Sequence, residues 1–196
     1  MMLGMPHPAR IDLPEILAAA ISLLEEDGPE GVTMRELARR LDVSAPSLYF
    51  HVESREDLFR EMTAEGLRRF TRAMEVAGAA GGDARTRVRA LAYAYIEFAE
   101  RNRQLFSLVF GPCPDERRID ESLPAEASAP VLDLARDLVG DARALFLAES
   151  LWAFVHGYTV LRLAGQFLLN PDHEAGFLFG LDLILDGALA AASGVR

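Results

Sequence analysis

Apolar side chains recur along most of the chain at the spacing of an amphipathic helix, and no useful stretch alternates as a strand does. Four short apolar stretches come first, each preceded by a residue type that caps helices: Asp12, Thr33, Ser44 and Ser54. Residues 11–27 are predicted to form the first helix. Gly28 and Pro29 are predicted to end it, since glycine and proline commonly follow the last turn.

A small-residue stretch at 78–82 is predicted to be a hinge, and a longer apolar part follows it. Asp83 and Asp141 are predicted to cap two of the later helices. Helices are predicted at 83–102, 105–110, 131–139, 141–168 and 174–191, with a polar loop at 115–128 and a turn at 170–172. The prediction is an all-α fold of about nine helices: an N-terminal three-helix helix-turn-helix domain with a connecting fourth helix (11–76), and a C-terminal helical bundle (83–191).

Composition places the chain among globular proteins. Of its 196 residues, 51% are apolar and 26% are charged, which is enough to bury a core. No run reaches the roughly 18 apolar residues of a membrane span, so no membrane partner is expected. The N-terminus lacks the basic flank and apolar core of a signal peptide. Cys113 is the only cysteine, which fits a reducing cytoplasm.

The formal net charge of −10 limits the kinds of nucleic-acid binding to consider. An acidic protein is a poor candidate for coating nucleic acid through bulk charge, because sequence-independent binding depends on neutralising phosphates. A reader that makes a few groove contacts remains compatible with this charge.

Residues 33–57 carry the pattern of such a reader. Residues 33–36 form a capping box, the following apolar positions face inward, and 42–43 form a turn. Ser44 is predicted to cap a short third helix that starts with Ala45 and Pro46, where proline is tolerated. Two short helices joined by a tight turn are typical of a helix-turn-helix that docks on DNA.

The segment GVTMRELARRLDVSAPSLYFHVESREDLF, together with the first helix ended by Gly28, resembles the tetracycline-repressor (TetR) family of transcriptional regulators. The resemblance covers roughly residues 11–70. The C-terminal part resembles the "WHG" ligand-binding domains of some of these regulators through Trp152, His156 and Gly157 in LWAFVHGYTVL.

The resemblance implies roles for individual residues. It implies a phosphate contact for Thr33, backbone contacts for Tyr49 and His51, and a contact from the basic residue Arg55 at the start of the fourth helix. The base-facing turn that it implies consists of Ser44, Ala45, Pro46 and Ser47. Many family members have Phe after the His where this chain has Val52, which we attribute to packing. Because the base-facing side chains are small, thymine methyl contacts and DNA shape are expected to contribute to selectivity.

Several of these residues have an ordinary structural interpretation as well. Arg35, Arg39 and Arg40 could be a solvated helix face, and we include only Arg39 and Arg40 as candidate phosphate contacts. Tyr49 and His51 could simply cover a small core.

The last two helices are apolar around more of their circumference than one core requires. We expect a homodimer in which these helices from two subunits form a four-helix interface. A twofold dimer also suits a reader of double-stranded operator DNA, since two recognition helices about 34 Å apart meet successive major grooves.

Trp152 and His156 lie four residues apart on one helix face and are candidates for the wall of an effector pocket. Tyr158 and Arg162 are expected to add polar groups, and Phe106 and Phe110 an apolar side. The alternative is a buried tryptophan packed beside a satisfied histidine.

No cofactor, metal site or catalytic residue is predicted. The four histidines are scattered, Ser150 lacks a nucleophile elbow, and no phosphate loop occurs. The sequence therefore predicts a ligand-responsive regulator, of the repressor type, that binds a palindromic operator as a dimer and leaves it when a small molecule binds. The alternatives are an all-α enzyme or small-molecule binding protein that retains the helix-turn-helix as a structural module, and a constitutive architectural DNA binder.

Overall fold

The computed structural model describes residues 11–112, 114–119, 122–169 and 172–194. In these residues the chain is all-α, as predicted, with nine α-helices, one turn of 3-10 helix (Asp115–Arg117) and no strand. The helices are α1 (Leu13–Gly31), α2 (Met34–Arg40), α3 (Ala45–Leu48), α4 (Arg55–Gly78), α5 (Ala84–Arg101), α6 (Arg103–Phe110), α7 (Ser122–Val139), α8 (Asp141–Leu163) and α9 (His173–Ala192).

The chain divides into two compact units whose limits differ from the predicted domains 11–76 and 83–191. The first unit runs up to Leu67 and includes the segment that starts at Asn102, so α6 belongs with α1, α2, α3 and the first part of α4. The second unit takes the rest of α4, α5 and the chain from Ser122 onward. Helix α4 is therefore shared between the units, whereas the prediction placed the break after it.

Helix α1 has a complete capping box at its start. The Asp12 carboxylate accepts a hydrogen bond from the Glu15 N–H at 2.9 Å, and the Glu15 carboxylate accepts one from the Asp12 N–H at 3.2 Å. At the other end, Gly28 has a φ of 70° and interrupts the helical geometry before one further turn. Glycine adopts this left-handed conformation without steric penalty, and the predicted end of the first helix at Gly28 is confirmed.

The first unit is held together by an apolar core in which α1 packs against α2 and α6, and α2 packs against α3. The largest side chains that it buries completely are Ile16, Leu23, Leu24, Leu37, Leu48, Leu58, Phe59, Met62 and Leu105. Helix α3 has only four residues, which is too short to be stable alone. Its position depends on the buried Leu48 and on Val52 just beyond the helix.

In the second unit, α7 packs against α5, α8 and α9, and α8 also packs against α5 and α9. An aromatic cluster lies in this core: the buried Phe177 ring stacks on Phe154 with 5.5 Å between centroids and lies 4.6 Å from Tyr158. A Cβ on Gly180 would lie 2.5 Å from the tip of the Phe154 ring. Glycine at 180 therefore leaves the room that this ring occupies.

The predicted loop at 115–128 is wrong from Ser122 onward. Helix α7 already starts at Ser122 and continues through Pro130 to Val139. Pro124 lies in the first turn, where backbone N–H groups have no partner inside the helix, so proline costs little there. Pro130 does remove a helical hydrogen bond, but α7 buries Ala127, Leu134 and Ala135 against its neighbours. Packing thus outweighs the local preference of a polar, proline-containing segment.

Smaller differences concern helix ends. Gly140 occupies the cap position of α8, and Asp141, predicted as the cap, is the first helical residue. Helix α8 ends at Leu163 rather than at 168. Ser44 does precede α3, but its hydroxyl lies 2.7 Å from that of Ser47 and makes no capping hydrogen bond. Of the predicted turn at 170–172, Asn170 and Pro171 lie outside the described residues.

Helices α8 and α9 expose much apolar surface. By length and composition alone, each would be able to cross a membrane, and only 39% and 17% of their most apolar windows are buried. The large apolar side chains exposed on these helices are Leu145, Phe146, Trp152, Val160, Leu161, Phe179 and Leu183. The chain by itself therefore leaves these two helices only partly covered.

The capping box of α1 leads to a prediction about stability. Replacing Asp12 with Ala removes the acceptor for the Glu15 N–H and should lower the free energy of unfolding by about 1 kcal/mol. Asp12→Ser keeps a short acceptor and should retain most of that stability. Urea unfolding followed by circular dichroism measures both changes, and equal losses in the two variants would contradict the capping role.

Candidate functional site

The helix-turn-helix of the first unit is built by local hydrogen bonds. The Thr33 hydroxyl accepts a hydrogen bond from the Glu36 N–H at 3.1 Å and caps α2. After α2, Asp42 adopts a φ of 53°, a left-handed conformation that short Asp and Asn side chains tolerate in tight turns. This turn redirects the chain into α3, whose first residues follow directly after Ser44.

Helix α3 presents small side chains on its outside. Ser44 and Pro46 are exposed and Ala45 and Ser47 are half-buried, while Leu48 faces the core. Tyr49 and His51, just after α3, are also exposed. The structure therefore places six of the predicted DNA-contacting residues on one short, solvent-facing segment that a groove would be able to accept.

Phe50 is a surface residue that the sequence interpretation missed. Its side chain is 88% exposed, more than the 51% of the neighbouring Tyr49. A helical pattern contains the signal: if Leu48 and Val52 both point inward, a residue midway between them points outward. Phe50 thus adds an exposed aromatic ring shortly after α3, next to Tyr49 in the sequence.

Two of the predicted phosphate-binding arginines are committed to partners within the first unit. Arg40 makes a bidentate ion pair with Glu26 of α1, at 2.6 and 2.8 Å, and also donates to the Ser22 hydroxyl at 3.1 Å. Arg55 donates to the backbone oxygens of Val32 at 2.8 Å and Pro29 at 2.6 Å. Both guanidinium groups thus hold α1 and the connection after it.

Arg39 has a different environment. Its guanidinium is exposed and pairs with Glu36, three residues earlier on α2, at 2.5 Å. The hydrogen bonds from Arg39 lower the pKa of the Glu36 carboxyl. A pair this exposed contributes little to stability, and a phosphate group would compete for the arginine.

In the second unit a cleft of about 290 Å³ opens between α5, α8 and α9. It is lined by Tyr93, Ile96, Glu97, Glu100, Arg162, Glu174 and Phe177. The Arg162 guanidinium pairs with Glu100 at 2.8 Å, and the Tyr93 hydroxyl donates to Glu174 at 2.8 Å. The cleft therefore combines an aromatic floor with polar groups that already have partners.

A second group of polar aromatic residues lies on α5 and α8. The Tyr95 hydroxyl is 2.8 Å from Nδ1 of His156, and the Trp152 and His156 rings are 5.8 Å apart. Burial lowers the pKa of His156, which favours the neutral imidazole. Burial also raises the pKa of Tyr95, while a hydrogen bond with the Trp152 side chain lowers it. Trp152 is 52% exposed, so its indole is not the buried core residue of the alternative interpretation.

The six residues predicted to line an effector pocket do not share one cavity. Among them, only Arg162 lines the cleft, and Tyr158 is buried with its hydroxyl donating to the His173 backbone oxygen at 2.6 Å. Phe106 and Phe110 pack together on α6 with ring centroids 5.1 Å apart and belong to the first unit. Sequence reasoning missed the residues of α5 and α9 that line the cleft because nothing local shows that these helices meet.

Comparison with known proteins agrees with both units. A model of bacterial regulatory proteins of the tetR family matches residues 16–62, and one of the tetracyclin repressor-like C-terminal domain matches residues 88–184. An uncharacterised HTH-type transcriptional regulator of Mycobacterium tuberculosis is 30% identical over 163 residues, covering 81% of this chain and 73% of that protein. The chain belongs to the TetR family of transcriptional regulators.

Two further similarities concern the whole fold and the N-terminal part of the chain. The solved structure of a protein of unknown function from Rhodococcus sp. RHA1 superposes with a TM-score of 0.77 and 27% identity, over 94% of this chain and 97% of that one. The tetracycline repressor protein class D of Escherichia coli is 38% identical over 61 residues, 31% of this chain and 28% of that protein. As a TetR-family member, the chain is a ligand-responsive transcriptional regulator.

The Arg40–Glu26 pair of this TetR-family domain predicts an acid-sensitive step in stability. Hydrogen bonds from Arg40, and secondarily from Ser22, lower the Glu26 pKa from about 4.5 to about 2. Because the folded-state pKa is depressed, the pair stabilises the fold above pH about 4.5, and this contribution is lost as the pH falls towards 2. Glu26→Gln should therefore flatten the fall of the urea midpoint between about pH 5 and pH 3.

The neighbouring exposed carboxylate of Asp27 supplies the control for this measurement. Asp27→Asn removes the same charge next to Glu26 and should keep the acid dependence of the parent protein. If Glu26→Gln and Asp27→Asn give the same pH profile, the pair with Arg40 does not contribute the expected stability.

Proposed function

We propose that this regulator is a homodimeric repressor that binds a palindromic operator and leaves it when a small molecule binds in the second unit. The observation that carries the DNA-binding part is the exposed segment of Ser44 to His51, where small polar side chains and two aromatic rings face solvent. Such a segment enters a major groove without steric obstruction, and two copies recognise two half-sites. The protein acts in the cytoplasm and carries out no catalysis.

The proposed contacts fall into two classes. Thr33, Tyr49, His51 and the exposed Arg39 contact phosphates and position the reader on the duplex. Ser44, Ala45, Pro46 and Ser47 face the bases, and Phe50 adds an apolar contact suited to a thymine methyl group. Arg40 and Arg55 stabilise the helix-turn-helix and do not contact DNA, since their guanidinium groups already bind Glu26 and backbone oxygens.

This assignment of phosphate contacts and base contacts explains how an acidic protein selects DNA. With a net charge of −10 and two arginines engaged inside the fold, each subunit has few charges to offer to phosphates. Weak sequence-independent binding leaves base contacts and DNA shape to discriminate between sites. One subunit alone then binds weakly, so pairing is required for useful affinity.

We place the dimer interface on α8 and α9. The exposed side chains of Phe146, Leu161, Phe179 and Leu183 supply the apolar surface that a second copy would bury. A Cβ on Gly157 would have nothing within 4 Å, so no contact in the same subunit explains glycine there. Small residues such as Gly157 allow two helices to approach closely across an interface.

The effector site is the cleft between α5, α8 and α9, whose aromatic wall and few polar groups suit a small molecule. Trp152 and His156 lie on α8, as the cleft residue Arg162 does. We assign them to the same effector-binding region. The dimer is proposed to have two states, and in only one of them does the spacing of the two α3 helices fit the operator. An effector that binds the other state more tightly shifts the equilibrium towards it, by an amount set by its difference in affinity for the two states.

Selection of bound fragments from random or genomic DNA tests the DNA-binding proposal. The purified protein should enrich a palindromic sequence, with affinity falling as salt rises. Phe50→Ala should weaken binding to that sequence about tenfold, which corresponds to about 1.4 kcal/mol. Val76→Ala removes a similarly exposed apolar side chain from α4 and should leave affinity unchanged. Absence of any enriched sequence would refute the proposal.

A charge on the apolar face of α9 tests the dimer. Leu183→Glu should produce monomers, because a carboxylate buried between two subunits is strongly unfavourable. Sedimentation measures the mass, circular dichroism checks that helicity is kept, and operator affinity should fall with the loss of the dimer. Val76→Glu places the same charge on an exposed apolar position of α4 and should remain dimeric. A dimeric Leu183→Glu protein would place the interface elsewhere.

A further inference from the structure

The cleft of the second unit has an unequal set of charged side chains. Among the residues that the structure describes, its lining contains one arginine, Arg162, and three glutamates, which are Glu97, Glu100 and Glu174. The remaining lining residues, Tyr93, Ile96 and Phe177, are apolar or aromatic. The cleft therefore combines an excess of negative charge with an apolar wall.

Two of the three glutamates have basic partners. Glu100 of α5 pairs with Arg162 of α8 at 2.8 Å, inside the cleft. Glu97 pairs with Arg101, one turn later on α5, at 2.6 Å. Both side chains of the second pair are exposed, so water screens their attraction. Arg162 thus balances only one of the carboxylates in the cleft.

Glu174, in the first turn of α9, pairs with no basic side chain in the described part of the chain. Its carboxylate accepts a hydrogen bond from the Tyr93 hydroxyl at 2.8 Å, which is a neutral donor. Burial, and then this hydrogen bond, raise the pKa of Tyr93, so the phenol remains a donor. Arg89, one turn earlier on α5, is paired with Asp182 at 2.9 Å. The charge of Glu174 is therefore left for a ligand to balance.

Aromatic rings lie beside this carboxylate. The Tyr93 ring is half-exposed, and its centroid is 6.1 Å from that of the buried Phe177. Glu174 is bound at the hydroxyl end of the Tyr93 ring. A cation within about 6 Å of a ring centroid is attracted by the ring face, and a cation placed over Tyr93 would also lie near the Glu174 carboxylate. The ring and the carboxylate together suit an organic cation.

Ligands of other charge fit the cleft less well. An anion would have to displace Glu100 from Arg162 and would then lie among three carboxylates. A neutral apolar molecule would cover Glu174 without supplying a charge, and burying an uncompensated carboxylate is unfavourable. A cation with an apolar part avoids both costs.

We propose that the cleft binds a small organic ammonium ion, with its charge over Tyr93 and beside Glu174 and its apolar part against Ile96 and Phe177. This proposal rests on the proposed function, in which the same cleft is the effector site. The cleft volume of about 290 Å³ is at the low end for small-molecule sites, which favours a compact ligand.

Calorimetric titration of the full-length protein with three probes of similar size tests the ligand class. The probes are benzyltrimethylammonium, which is positive, benzyl alcohol, which is neutral, and phenylacetate, which is negative. The ammonium ion should bind at least about tenfold more tightly than either of the others. Tighter binding of phenylacetate or benzyl alcohol, or no binding of the ammonium ion, would overturn the proposal.

Glu174→Gln removes the charge and keeps an oxygen that can accept from Tyr93. It should weaken ammonium binding about tenfold and leave benzyl alcohol binding unchanged. Glu126→Gln removes the same charge from an exposed position of α7 outside the cleft and should bind as the parent protein does. Equal ammonium affinities in the two variants would show that Glu174 does not hold the cation.

Arg162→Gln should have the opposite effect. It removes the positive charge from the cleft and releases Glu100, so ammonium binding should become about fivefold tighter. Mere disturbance of the cleft would weaken binding instead. Arg118→Gln removes an exposed arginine of the first unit, paired with Asp115, and should leave ammonium affinity unchanged. Weaker ammonium binding to Arg162→Gln, with helicity unchanged by circular dichroism, would contradict selection by charge.

Release of DNA separates the ligand class from the effector role. Benzyltrimethylammonium should lower the affinity of the parent protein for its selected operator duplex, and Glu174→Gln should require about tenfold more of the ion for the same effect. If the ion binds with the expected charge dependence but does not release the operator, the ligand class stands and the proposed effector role of the cleft fails. If no operator is selected, calorimetry still decides the ligand class.

Discussion

Two adjacent carboxylates near the end of α1 join this helix to α2 and α6 around the apolar core of the first unit. Glu26 binds Arg40 of α2, and Glu25 binds the backbone amides that begin α6. Neither carboxylate suits its own helix, because both lie near the negative end of the α1 dipole. Each is favourable only when the other helix is in place, so α1 becomes the common support of the helix-turn-helix and of the segment that leads to the second unit.

Contacts within the first unit also determine which side chains remain on the surface that is proposed to face DNA. Arg40 and Arg55, which a helix-turn-helix sequence suggests as phosphate ligands, instead bind Glu26 and the backbone oxygens of the α1–α2 connection. The exposed surface keeps Arg39, small polar side chains and the rings of Tyr49 and Phe50. In the proposed function, such a surface would gain selectivity from its fit to the groove and affinity from the pairing of two copies, for which the uncovered apolar faces of α8 and α9 are the proposed interface.

The second unit shows where packing overrides local preference. The segment around Pro124 and Pro130 has the composition of a loop, yet it forms most of α7, because three other helices cover its apolar face. The cleft likewise arises from the meeting of α5, α8 and α9. Its residues Tyr93 and Glu174 are 81 positions apart, and no local pattern connects them.

The sequence by itself determined the features that depend on neighbours along the chain. The all-α class, the break at Gly28 and the Thr33 cap were all predictable, because each rests on spacings of a few residues. Only the tertiary structure decided what the charged side chains do. Arg40 and Glu26 are 14 positions apart, Arg55 reaches back 26 positions to Pro29, and Glu25 caps a helix 80 positions away. Such partners are brought together by the packing of whole helices. For this reason, charged residues that the sequence suggests are a solvated helix face turn out to bind other helices in the fold.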